Sequence, residues 1–222
     1  MKPCDYLDEV RTLAKQAGEK ILEIYNTEFS VQEKDDKSPL TAADMASHKT
    51  IVAGLQSLSP DIPVLSEESA KIPYQERAGW HTYWLIDPLD GTREFIKRNG
   101  EFTVNIALIR DGVPVLGVVH VPVTGVSYAA CEGKGAIKAT PGEGEKAITV
   151  RTLSDGPIAV VGSRSHQGDS LKAFIAKLGD HEIVSMGSSL KICLVAEGAA
   201  DVYPRLGLTS EWDTAAAHCV VE

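Results

Sequence analysis

"WLIDPLDGTREF", residues 84 to 95, sets two aspartates, a proline, a glycine and a threonine directly behind an apolar run. A surface turn accounts for Asp90-Gly91. It does not account for Asp87, which follows Leu85-Ile86, residues that read as core. Pro88 restricts its own φ and holds the residue before it extended. The chain can then turn so that Asp87 and Asp90 face one point, with the Leu89 carbonyl between them. Asp90 also reads as a helix N-cap. Gly91-Thr92 would open a helical turn through Phe95, whose free backbone N–H groups suit a phosphate.

Two more acidic residues occupy comparable places. Glu67 follows a short strand, Val64-Leu65, and Asp213 stands where a loop enters the last predicted helix. In open α/β sheets, sites form at the carboxyl ends of strands. Acidic groups gathered there from distant segments repel unless cations compensate them. Oxygen donors without His or Cys point to Mg²⁺. Each residue alone has an ordinary reading: a turn at Asp90, a solvated edge at Glu67-Glu68, an N-cap at Asp213. Their recurrence behind core strands favours a metal-assisted phosphoester hydrolase.

Outward from this stretch, Tyr6 to Tyr25 carries apolar residues at helical spacing. Thr41, with Asp44 three residues on, makes a capping-box start for a second helix to about Leu58. Tyr83 to Ile86 is a strand. Phe102 to Ile109 and Val113 to Val121 flank Asp111-Gly112, a strong hairpin signal, and Val126 to Cys131 continues the meander. Gly- and Glu-rich Ala139 to Lys146 reads as a loop. It divides an N-terminal part, 1–140, which carries the acidic turn, from a C-terminal part, 147–222. The second part alternates: strand at Ile158 to Val161, helix at Ser170 to Leu178, strand at Ile183 to Ser185, helix at Ser189 to Glu197, strand at Asp201 to Tyr203, helix at Asp213 to Val221. Such alternation argues for layered α/β structure. The last helix stops at "HCVVE" without a cap, so the expectation is that the C-terminus is truncated.

Composition narrows the function. A net charge of −9 argues against a polyanion-binding surface and hence against a nucleic-acid polymer as partner. The four cysteines, Cys4, Cys131, Cys193 and Cys219, show neither C-x-x-C nor zinc spacing. They read as reduced thiols in a cytoplasmic protein, mostly small core residues. No run approaches the roughly 18 apolar residues of a membrane span, and "MKPCDYLDEV" lacks the apolar region of a signal peptide.

"SEE", "WLIDPLDGTREF" and "EWDTAAAH" resemble the three signatures of the inositol monophosphatase superfamily of Mg²⁺-dependent, lithium-sensitive phosphatases. "KSPLTAAD", "GEFTVNIALI", "SRSH" and "GSSLKICLVAEGAADVYPR" look most like its bacterial 3′(2′),5′-bisphosphate nucleotidase branch. The resemblance spans essentially the whole chain. It implies a layered αβαβα sandwich and removal of the 3′-phosphate of adenosine 3′,5′-bisphosphate, a by-product of sulfate assimilation, leaving AMP. The 3′-phosphoadenylyl sulfate is a further candidate substrate.

The resemblance also implies residue roles. The metal ligands are Glu67, Asp87, the Leu89 carbonyl, Asp90 and Asp213, holding two or three Mg²⁺. Glu67 counts with the catalytic set, and Asp44 and Thr92 match the pair that polarises the attacking water. Gly91, Thr92 and Asp213 border the substrate, and Ser188, Lys191 and Arg205 match the positions that hold the nucleotide and its second phosphate. His166 matches a nucleotide-contacting histidine, with a structural role as the alternative. Lys97-Arg98 either steers an anion or caps a solvated helix end. Inositol or sugar monophosphatase is the alternative activity, and a non-catalytic nucleotide or phosphate sensor the alternative class. The expected place is the cytoplasm, with peripheral association at the inner face of the inner membrane left open, as is the oligomeric state.

Overall fold

Val10, Leu13, Ala14, Ala17 and Ile21 recur at helical spacing, and all are buried on one side of helix α1, Leu7–Tyr25. The computed structural model describes residues 2–33, 39–69, 72–153, 156–162 and 169–222. A short hairpin, β1 (Val31–Glu33) with β2 (Pro39–Thr41), leads into α2, Ala42–Leu58. Thr41 caps α2 and Asp44 closes the capping box. Ser59, at the other end of α2, accepts a hydrogen bond from the buried Trp84 indole at 2.8 Å. The helix is thus tied to the central strand at one end and reaches the acidic turn at the other.

One seven-stranded sheet forms the centre. Its strands are β3 (Val64–Ser66), β4 (Thr82–Asp90), β5 (Thr103–Arg110), β6 (Val113–His120), β7 (Ser127–Cys131), β8 (Gly135–Thr140) and β9 (Gly144–Ile148), in that spatial order. β3 runs parallel to β4, and every later pair is antiparallel. A short helix, α3 (Tyr74–Arg77), joins β3 to β4, and α4 (Thr92–Ile96) follows β4. Asp111 and Gly112 both take positive φ, at 50° and 80°, as the tight hairpin between β5 and β6 requires.

The central strands read as continuous apolar runs because both sheet faces are covered. Trp84, Ile86, Val104, Ile106 and Leu108 pack with α1 and α2. Leu85, Ala107, Ile109 and Val119 pack on the opposite side with α6 (Leu190–Ala196) and α7 (Ala215–Val221). Gly117 in β6 permits the closest approach: a Cβ there would lie 2.2 Å from the Ala216 carbonyl of α7. Beyond α6 lies a second, parallel pair, β10 (Ile158–Gly162) with β11 (His181–Ser185), separated in sequence by α5 (Asp169–Ile175). Ala159 and Val161 of β10 form a third core with Leu194 and Val195 of α6. The layers therefore run helix, sheet, helix, sheet. No helix among the described residues is long and apolar enough to cross a membrane.

Three expectations change. Ala139 to Lys146 is not a loop but most of a hairpin at the sheet edge, Thr140 pairing with Gly144 and Ala139 with Glu145. Edge strands need no apolar face, so hydrophobic periodicity missed it. Asp201 to Tyr203 reduces to a single bridge between Val202 and Val160. Cys4 and Cys131 form a disulfide with Cα atoms 5.6 Å apart, while Cys193 and Cys219 are free and buried. The 3₁₀ turn at Pro3–Tyr6 lies beside the end of β7, a proximity that a separation of 127 residues cannot announce.

Candidate active site

A register shift decides where the acidic turn points. Asp87 pairs with Asn105, but it is Asp90, not Leu89, that pairs with Thr103. The extra residue makes a β-bulge. In a regular strand Leu89 would share the face of Asp87. The bulge instead turns Leu89 into the α1–α2 core and gives Asp90 the face of Asp87. That is why a core strand ends in two carboxylates three residues apart. The Asp87 carboxylate accepts the Leu89 N–H at 3.1 Å, and the Pro88 carbonyl accepts Ser47 Oγ of α2 at 2.7 Å. The N-cap of α4 is Gly91 at φ 91°, not Asp90 as the sequence suggests. Asp90 stays outside the helix, directed at the other acidic groups.

Thr92 opens α4, and its hydroxyl donates to Asp44 Oδ1 at 3.2 Å. The other oxygen of Asp44 accepts the Thr41 N–H at 2.8 Å and the Thr41 hydroxyl at 2.6 Å. One buried carboxylate therefore both closes the cap of α2 and meets the α4 threonine. Glu67 lies in the 3₁₀ turn after β3. Ser66, just before it, pairs with His48 Nδ1 at 2.9 Å and accepts the Glu68 N–H at 3.3 Å. Asp213 ends the 3₁₀ turn before α7 and accepts the Ser210 N–H at 3.0 Å.

These acidic groups act on one another. Burial, then Glu67, Asp90 and Asp213, push the Asp87 carboxyl well above its ordinary range. Burial also pushes Asp90 up to about 6, with Lys191 opposing and Asp213 reinforcing. Asp213 is raised, by burial first. Among the described residues, no three His, Cys, Asp or Glu side chains stand close enough to grip one ion as they are. The donor set nonetheless fits a hard divalent cation. Its side-chain donors are all carboxylate oxygens, and the groups acting most strongly on buried Asp87 are all acidic.

Cations border the cluster on one side. Lys191 is 8% exposed, donates to the Ser188 carbonyl at 2.5 Å and lies 5.5 Å from the Tyr203 ring centroid. Burial lowers its pKa, and Asp90 counters that. Arg205 turns back on its own loop, to the Thr209 hydroxyl and, at 2.7 Å, to the Leu208 carbonyl. Asp90, Ser188, Lys191, Tyr203, Arg205 and Asp213 line a cavity of about 60 Å³. That volume suits a phosphate-sized group, not a whole nucleotide.

Ser188 takes a left-handed φ of 48°, and the following amides are not free: Ser189 N–H goes to Asp90 and Leu190 N–H to Ser188 Oγ. Arg98, just past the end of α4, is exposed but tethered. It stacks on Tyr25 and Phe29 and donates to the Tyr25 and Thr27 carbonyls. His166 lies outside the described residues.

Sequence reasoning read Thr41 only as a helix cap and passed over Ser47, Thr103, Asn105 and Ser189 as site residues. Thr103 and Asn105 did leave a signal, two polar residues on one face of an otherwise apolar strand.

The model of the inositol monophosphatase family matches residues 5–222. A 3′(2′),5′-bisphosphate nucleotidase CysQ of Shigella flexneri is 55% identical over 216 residues, 96% of this chain and 86% of the relative. Its namesake in Buchnera aphidicola subsp. Acyrthosiphon pisum is 45% identical, covering 97% and 80%. Among solved structures, CysQ from Bacteroides thetaiotaomicron, described as a bacterial member of the inositol monophosphatase family, is 47% identical. It superposes with a TM-score of 0.83 over 96% of this chain and 84% of that one. With the bulged acidic turn, the Thr92–Asp44 contact and a match from residue 5 to residue 222, the chain belongs to the inositol monophosphatase family.

Proposed function

We propose that this protein is a Mg²⁺-dependent 3′(2′),5′-bisphosphate nucleotidase that converts adenosine 3′,5′-bisphosphate to AMP and phosphate. What carries the reading is 55% identity, over 96% of the chain, to a relative bearing that activity's name. The juxtaposition of a carboxylate cluster and a phosphate-sized cationic cavity supports it. Members of the family are generally metal-dependent. Glu67, Asp87, the Leu89 carbonyl, Asp90 and Asp213 would hold two or three Mg²⁺. Bound divalent cations supply charge neutralisation for the transferring phosphoryl group and acidify the attacking water.

The chain's own residues do the rest. Thr92 donates a hydrogen bond to Asp44, so the Thr92 oxygen presents its lone pairs to a hydrogen bond from water. Asp44 drains positive character from that hydroxyl as the water loses its proton. The water oxygen forms the new bond to phosphorus while its proton passes to the Thr92–Asp44 pair; the ester bond to the 3′-oxygen breaks, and the 3′-oxygen takes a proton from solvent and leaves as a hydroxyl. Lys191 and Arg205 hold the 5′-phosphate on the cationic side of the cavity, and Gly91, Ser188 and Asp213 border the sugar and the reacting phosphate.

Phosphate release from adenosine 3′,5′-bisphosphate, inositol 1-phosphate and fructose 1,6-bisphosphate, with MgCl₂ or with EDTA, tests the proposal. The expected result is Mg²⁺-dependent turnover with the nucleotide clearly favoured. A higher kcat/KM on inositol 1-phosphate would transfer the assignment to the monophosphatases. Binding without release from any of the three would make the protein a sensor.

A further inference from the structure

Three residues that the mechanism leaves unused, Thr103, Asn105 and Ser189, close a ring around Asp90. Ser189 N–H donates to Asp90 Oδ2 at 2.5 Å, and Asn105 Nδ2 donates to the same oxygen at 3.4 Å. Ser189 Oγ donates to Asn105 Oδ1 at 2.8 Å. With the Ser189 proton so placed, the 2.9 Å contact between Thr103 Oγ1 and Ser189 Oγ makes Thr103 the donor. The charge on Asp90 fixes the Asn105 amide, since its oxygen facing a carboxylate would be repelled. Thr103, Asn105 and Ser189 are all buried. The β-bulge sets the ring up, for it places Asp87 opposite Asn105 and Asp90 opposite Thr103.

We propose that Asn105 is a positioning residue that latches the segment 187–191 onto Asp90. The cationic turn bearing Ser188 and Lys191 and the carboxylate end of β4 then form one rigid unit. The inference rests on the reading of Asp90 as a metal ligand and of Lys191 as an anion holder. Asn105 touches neither the substrate nor the metal in this scheme. It acts by holding Asp90 Oδ2 with neutral donors, which leaves Oδ1 for a cation, and by holding Ser189, which sets the height of Lys191 above the cavity. Backbone pairing alone would hold β4 to β5 without this ring, so the ring serves the site and not the sheet. Its consequence is that cation binding at Asp90 and anion binding at Lys191 depend on the same side chain.

Calorimetric titration of the wild type, Asn105→Ala and Ser189→Ala with MgCl₂, and with AMP at fixed Mg²⁺, tests the latch. AMP carries the 5′-phosphate and no scissile 3′-ester. Asn105→Ala is expected to weaken both Mg²⁺ and AMP by about 10-fold, the scale of one hydrogen bond to a charged group. Ser189→Ala keeps the backbone donor to Asp90 and is expected to weaken both by about 3-fold. A shift in only one ligand, or a lower melting temperature with both affinities unchanged, overturns the proposal. If Asn105→Ala does not fold, Ser189→Ala decides by the same criterion. If the wild type takes up no AMP, the nucleotide assignment falls, and sodium phosphate replaces AMP as the probe of the latch.

Discussion

The two sides of the site are built in opposite ways. The carboxylate side is centred on six consecutive residues, Asp87 to Thr92, whose proline, bulge and left-handed glycine set the directions of two of its carboxylates within one segment, with Glu67 and Asp213 added from other turns. The cationic side draws on Ser188, Lys191, Tyr203 and Arg205, spread over a helix start and an irregular loop. It is held in place by contacts to Asp90 from a residue 99 positions away. The first is stiff because its geometry is local. The second depends on packing between distant segments.

Damage to the local side should therefore be catastrophic for every substrate. Asp90→Asn keeps hydrogen-bonding capacity but loses the charge that would hold a cation. Lost metal polarisation amounts to several kcal/mol, or about 10³-fold in kcat/KM at 1.4 kcal/mol per decade. Steady-state rates against a Mg²⁺ titration check this. Near-normal turnover with an unchanged Mg²⁺ requirement would remove Asp90 from the metal set.

Thr92→Ala should follow at roughly 10²-fold, the lower end of general-base assistance, since a hydroxyl backed by Asp44 orients water instead of taking its proton outright. The loss should fall on kcat, because the interaction matures in the transition state. A change confined to KM would reassign Thr92 to substrate binding.

The assembled side should show selectivity instead. Arg205→Ala removes a cation bordering the phosphate-sized cavity. A charge-assisted hydrogen bond of about 1.5–3 kcal/mol corresponds to roughly 10–150-fold in affinity. KM for adenosine 3′,5′-bisphosphate should rise within that range while kcat/KM for inositol 1-phosphate holds. Equal losses on both substrates would mean that Arg205 supports the loop through Thr209 and Leu208 and not the ligand.

A last prediction lies away from both sides and should leave the chemistry alone. His120 is buried at the end of β6, with Nδ1 2.8 Å from Ser127 Oγ, and burial and then Lys15 pull its pKa down to about 4. The folded protein holds it neutral, whereas the unfolded chain protonates near 6.5. As pH falls from about 6.5 to about 4 the unfolded state takes up a proton that the fold refuses. Stability is lost over that window, by about 3 kcal/mol when complete. Between pH 7.5 and pH 5 the urea midpoint should fall further in the wild type than in His120→Asn, the raised carboxyls of Asp87, Asp90 and Asp213 acting alike in both. Identical pH slopes in the two proteins would acquit His120.

Elements whose signals are local were legible in the chain itself. The periodicity of Val10 to Ile21 marks α1, Thr41 with Asp44 marks the start of α2, and Asp111-Gly112 marks the β5–β6 turn. The acidic turn belongs with them in part: Pro88 and Gly91 act on adjacent residues, but the bulge against β5 that gives Asp87 and Asp90 one face is a matter of strand register. Tertiary structure alone decided the rest. It paired Cys4 with Cys131, turned Arg98 back onto Tyr25 and Phe29, and made strands of the polar edge at Gly144–Ile148. It also set Asn105 and Ser189, 84 residues apart, at hydrogen-bonding distance beside Asp90. Such contacts depend on strand register and helix packing, each the sum of many weak apolar contacts across the sheet, and no single residue announces the outcome.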